Sequence, residues 1–203
     1  GNLGGKGFVN VTGAGSQLLL SPDTGSWSST PNQGGFLQFG FRQGSYGRLQ
    51  VKDGGLVDVR GSTNESDAGF ILGFNEGAYG KAVIDGANSR LVVRTLGNGT
   101  GAYAIIGDSG KGTMLVRNGG ELRVEGTDAV LAVSAGDEDA VFDAPASLLS
   151  ITAGGKVNVA GDGARVVVGD GFDSDGSVVI SGAGSLLAMT GGNTAMLVGD
   201  NGP

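Results

Sequence analysis

The chain has 203 residues, a formal net charge of −7 with a pI near 4.4, and 43 glycines, but no cysteine and no histidine. Those absences exclude disulfides, Ser-His and Cys-His nucleophiles and the usual zinc sites. An acidic chain with no basic stripe along its sequence also disfavours nucleic acid, and no run approaches the roughly 18 apolar residues of a membrane-spanning helix.

Glycine stands at about three times its average usage, and each one inside a regular element costs roughly 0.5–1 kcal/mol relative to alanine. The glycines must therefore sit at bends. They fall as Gly-Gly, Gly-x-Gly and Asn-Gly between apolar runs. No triplet period exists, which excludes collagen, and the alternation of Val, Leu and Ile argues against disorder.

In chain order, the first pairs of apolar residues one residue apart are Val9/Val11 and Leu18/Leu20, joined by Gly13-Ala14-Gly15-Ser16. Residues 21–35 form the longest connection and hold the single tryptophan, Trp27. Leu37/Phe39 then ends at Gly40, followed by Leu49/Val51, the link Asp53-Gly54-Gly55, and Val57/Val59. The next unit reads Phe70/Leu72 to Gly73, Ala82/Ile84, Leu91/Val93. The clearest copy follows: Ala104/Ile106 to Gly107, Met114/Val116, the link Asn118-Gly119-Gly120, Leu122/Val124. Beyond it we align Val133/Ala135 to Gly136, Leu149/Ile151 and Val157/Val159, then Val166/Val168 to Gly169, Val178/Ile180 and Leu187/Met189, and last Met196/Val198 to Gly199.

Spacing of two within each pair predicts a strand with one buried face. The glycines that end the first strand of each unit recur at intervals of 33, 34, 29, 33 and 30. One unit is therefore about 32 residues, with units near 1–39, 40–72, 73–106, 107–135, 136–168 and 169–203 of one β-solenoid segment. Three short strands cannot bury their apolar faces alone, but each can stack on its counterpart one unit later, about 4.8 Å away. The expected fold is all-β: a right-handed, three-sided parallel β-helix of about six coils. Ends that fall in phase with the repeat suggest a slice of a longer array. A propeller blade would need four strands over about 40–45 residues, and the calcium-binding nonapeptide roll a glycine-aspartate motif every nine.

The line Ile106 to Val124, Ile-Gly-x-x-Gly-x-Gly-x-Leu-x-Val-x-x-Gly-Gly-x-Leu-x-Val, resembles the glycine-rich repeats of bacterial autotransporter (type V secretion) passengers and of PEP-CTERM-associated surface proteins. The Gly-Ala-Gly-Ser variants at Gly13 to Ser16 and Gly182 to Ser185 resemble the same family. That resemblance covers nearly the whole chain. It implies a secreted or surface-displayed stalk of an adhesin or matrix protein, and it brings no catalytic residues.

Two aspartate clusters, Asp137-Glu138-Asp139 and the run holding Asp170, Asp173 and Asp175, are candidate calcium ligands, because hard cations take several oxygens. The plain alternative is a solvated turn, which aspartate favours. Trp27 is a candidate contact for a sugar or protein, or else a lid over a flank. Tyr46 and Tyr79, 33 residues apart like Phe41 and Phe74, are expected to stack as a ladder or to offer rings to a carbohydrate. The expected role is a non-enzymatic structural or adhesive segment outside a bacterial cell, needing no cofactor beyond possible calcium, with self-association or a host or matrix glycan or protein as partner. The alternative is a glycan-binding or glycan-cleaving β-helix, for which two carboxylates suffice.

Overall fold

The computed structural model describes residues 4–21, 34–61, 67–96, 101–135, 146–170 and 174–200. Among these there are eighteen strands and no helix, arranged as three six-stranded parallel sheets. Sheet A stacks β1 (Lys6–Thr12), β4 (Tyr46–Lys52), β7 (Tyr79–Asp85), β10 (Lys111–Arg117), β13 (Ser147–Thr152) and β16 (Gly176–Ser181). Sheet B stacks β2 (Gln17–Leu20), β5 (Leu56–Arg60), β8 (Arg90–Arg94), β11 (Glu121–Glu125), β14 (Lys156–Ala160) and β17 (Leu186–Thr190). Sheet C stacks β3 (Phe36–Phe39), β6 (Ala68–Leu72), β9 (Ala102–Ile106), β12 (Val130–Val133), β15 (Arg165–Asp170) and β18 (Ala195–Asp200). The chain is a three-sided β-solenoid of stacked rungs.

Every apolar pair aligned in sheets A and B lies on its expected counterpart: Leu49 on Ala82 on Met114 on Leu149, and Val57 on Leu91 on Leu122 on Val157. These columns point inward and are fully buried, and together with Phe70, Leu72, Ala104 and Ile106 they form one core running the length of the stack. Parallel pairing continues through the bends. Leu56, Arg90 and Glu121 donate their N–H groups to Ser16, Gly55 and Ser89 carbonyls at 2.9 Å, so the corners carry the hydrogen-bond ladder from sheet A into sheet B.

One register differs from the sequence alignment. Leu131/Val133, rather than Val133/Ala135, stacks on Ala104/Ile106 and under Val166/Val168. The corner residue after β12 is therefore Ser134, not Gly136. Ser134 has a φ of 62°, donates to Ile106 O at 2.9 Å and accepts from Asp170 N at 2.9 Å, as the corner glycines do. Here a non-glycine holds the left-handed conformation, and its buried hydroxyl lacks a hydrogen-bond partner.

Strands of sheet C are largely apolar on both faces, Gln38 and Arg165 being polar exceptions. Outward-facing Ile71, Ala132 and Val167 are buried as well as the inward columns. Near-continuous apolar runs of this kind are what parallel strands covered on both sides require.

A second glycine column opens sheet A at Gly7, Gly47, Gly80 and Gly112, facing inward against the previous corner. A Cβ at Gly80 would stand 2.4 Å from Phe39 O and 2.5 Å from Gly73 N, both backbone, whereas a Cβ at Gly7 in the outermost rung meets nothing within 4 Å. Gly80→Ala should therefore destabilise the fold by about 1–3 kcal/mol through overpacking, while Gly7→Ala should leave the urea midpoint essentially unchanged. Ser134→Gly should move the midpoint the other way, by about 1 kcal/mol of added stability, since it relieves left-handed strain and removes an unpaired hydroxyl.

Candidate functional site

The outward positions of each sheet form columns along the stack, so the three sides of the solenoid carry different chemistry. On sheet C the outward residues Ile71, Ala132 and Val167 are apolar and already buried. Sheet B carries a network of mixed sign. Asp58 sits there, 3% exposed, bonded by Arg60 Nη2 at 2.6 Å and Arg94 Nη2 at 2.7 Å. Glu121, two rungs further, takes Arg123 at 2.9 Å, Arg90 at 3.4 Å and Asn158 Nδ2 at 2.8 Å. These carboxylates are consumed by neighbouring cations.

Sheet A is different. Its strands bear Lys6, Arg48, Lys52, Lys81, Lys111 and Arg117 against one carboxylate, Asp85. Six of the 13 cations of a chain with net charge −7 thus share one face. Of these six only Arg117 is in a salt bridge among the described residues, to Asp85 at 2.8 Å. The composition shows no basic run because each of the four strands β1, β4, β7 and β10 carries only one or two cations and the strands are separated by a whole repeat unit; stacking brings them together. This corrects the expectation that no basic stripe exists.

Tyr46 and Tyr79 lie on this face, ring centroids 5.2 Å apart at 42°, and Phe8 meets Tyr46 edge-on at 5.8 Å. Phe41 and Phe74 stack at 5.3 Å on the adjoining corner. The ladder expected from the 33-residue spacing is present. Tyr79 Oη donates to Thr113 Oγ1 at 3.3 Å, which ties the second ring to the next rung. At the first rungs Phe8, Gln38, Phe41, Arg42 and Tyr46 line an open cleft of about 820 Å³.

Register places Lys6, Tyr46, Tyr79 and Lys111 in one column and Phe8, Arg48, Lys81 and Thr113 in the next. Sequence reasoning found the two tyrosines and missed the cations beside them. The signal was the tripeptide frame Tyr46-Gly-Arg48 and Tyr79-Gly-Lys81, repeated at the unit length. Arg48 is half-buried between Phe8 and Lys81, and its Nε has no hydrogen-bond partner.

Of the other candidate residues, Trp27, Asp137, Asp139 and Asp173 lie outside the described residues. Asp170 ends β15 and Asp175 precedes β16 at the bend between sheets C and A. Among the described residues no three carboxylates converge on a point where a cation could be held. Away from sheet A, burial together with the charges of Asp67 and Asp108 pushes the Tyr103 hydroxyl up to about 12, so the ring stays neutral beside Phe36.

Comparison with family models, with curated proteins and with solved structures gave no match.

Burial pushes the Asp85 carboxyl up, but hydrogen bonds from Asn118 and Arg117 and the charges of Arg117 and Lys52 outweigh it and hold the group below the usual carboxylate range. A depressed folded-state value adds stability that is present above the unfolded value, about 3.9 for aspartate, and is lost as pH falls through the folded one. Asp85→Asn should therefore lower the urea midpoint at pH 7 by the equivalent of about 0.2–1 kcal/mol, the range of an exposed pair. The gap to the parent chain should close as the titration proceeds below about pH 4.

Proposed function

We propose that this chain is a non-enzymatic structural and adhesive segment, exported by a bacterium and displayed outside the cell, like the autotransporter passengers and PEP-CTERM-associated proteins whose repeats it resembles. The observation that carries the reading is the uninterrupted core. Six rungs in register fix the spacing and direction of every surface column, which is what a spacer or a repeating binding scaffold needs.

The outermost rungs add a second support. Inward-facing Ile180 and Val198, whose counterparts Ile151 and Val168 are buried, are 48% and 70% exposed, and the strands β16, β17 and β18 each leave one edge unpaired among the described residues. An open strand edge next to an uncovered apolar core end favours addition of a further rung of the same kind. A second copy stacked end to end would supply one.

The glycan reading has one observation in its favour, the tyrosine ladder beside unpaired cations on sheet A. Binding is the form it supports. On sheets A and B the strand carboxylates Asp58, Asp85 and Glu121 are held in ion pairs, whereas glycoside cleavage requires two carboxyl groups free to exchange protons or attack.

Sedimentation velocity over a range of concentrations tests the stacking. The chain should form progressively longer species, and Ile180→Lys with Val198→Lys, placed where no rung yet covers them, should hold it monomeric with an unchanged circular dichroism spectrum. A parent chain that stays monomeric at every concentration would overturn end-to-end assembly.

A further inference from the structure

We infer that the outer face of sheet A binds an acidic polysaccharide laid along the solenoid axis, one carboxylated sugar to a rung. This takes up the adhesive side of the function proposed above and names its partner.

Charge on this face follows the rungs. In the two columns nearest the corner, each of four successive rungs contributes one cation: Lys6, Arg48, Lys81 and Lys111. Rungs are about 4.8 Å apart, and a sugar unit of an extended 1,4-linked chain advances by close to the same distance. The cations therefore repeat in step with the carboxylates of a polyuronate. In the far column Asp85 sits between Lys52 and Arg117 and neutralises part of their charge, so the free positive potential lies on the near side, beside the rings.

That placement is energetically costly. Arg48 and Lys81 face each other directly across the ladder, and like charges so placed destabilise a sheet. Sheet B relieves the same crowding with Asp58 between Arg60 and Arg94; sheet A supplies no such carboxylate to Arg48 or Lys81 among the described residues. An external anion fills that role. Next to these cations the half-exposed rings of Tyr46 and Tyr79, packed on one another, add apolar surface against which the C–H groups of a pyranose pack.

A nucleic acid is the competing polyanion. Duplex DNA carries one charge per about 1.7 Å of axis and each strand one per about 3.4 Å, both denser than this cation row, and the bends flanking the face hold Asp53, Glu76 and Asp108, which repel a dense polyanion. A sparsely charged glycan matches the row and passes between those bends.

The test uses the 203-residue chain and isothermal titration at low salt with three probes: an oligogalacturonate, the same oligomer methyl-esterified, and an oligothymidylate. The acid form should bind and weaken as salt is raised. Its ester and the oligothymidylate should each bind at least about tenfold more weakly. Arg48→Glu with Lys81→Glu should lower affinity for the acid form by at least about tenfold. A charge-matched pair on the other two sheets, Lys156→Glu with Arg165→Glu, should change it by no more than about twofold. Three results would overturn the inference: no binding of the acid form at low salt, an equal loss in both double variants, or an oligothymidylate that binds as tightly. Circular dichroism and the sedimentation experiment report the scaffold separately. A folded, stacking chain indifferent to the acid form overturns the glycan partner and leaves the structural role standing.

Discussion

Parallel pairing without slippage is the constraint on which the rest of this structure depends. Because each residue lies on its counterpart one rung away, an inward position must be apolar in all inner rungs, as the Leu49 to Leu149 column is. Shifting one strand by a single residue would turn that whole set outward. The bends obey the same demand. Two glycine columns exist because successive backbones approach too closely at those corners for a Cβ, and the hydrogen bonds that run through the corners leave little room for adjustment.

Surface chemistry inherits this order. A side chain placed once per unit becomes a continuous row, and three sides of one prism acquire three characters without any change in the backbone. On sheet B the rows balance, and arginines at 31% and 35% side-chain exposure cover a carboxylate that water scarcely reaches. On sheet A they do not, and the core beneath is extensive enough to hold a row of like charges that a thin hairpin would not tolerate.

Much of this was legible in the sequence because the determinants are local. Alternation in Leu49/Val51 or Leu122/Val124 states which face is buried, and Asn118-Gly119-Gly120 states where the chain bends; both facts survive without knowledge of neighbours. What failed was of two kinds. Ser134 performs a glycine's task, so a reading keyed to glycine misplaced the β12 register by two residues although Leu131 and Val133 were plainly available. The cationic face was invisible for another reason: Lys6, Arg48, Lys81 and Lys111 are dilute in sequence and become a row only after each unit is folded onto the last. Asp58 belongs to the same class, since its burial is created by Arg94 from the next rung.

The interval of about 33 residues between paired strands also governs how the molecule assembles. Closing the first ring requires a loop of that length with no template, an entropic cost that grows only slowly with loop size but must be met before any rung pairs. Each later ring forms on an edge already in place, with its partners aligned in advance. Growth then resembles crystallisation on a seed: one slow event, followed by rapid addition in whichever direction unstructured chain remains, with the cationic row completed one charge at a time as its rungs are laid down.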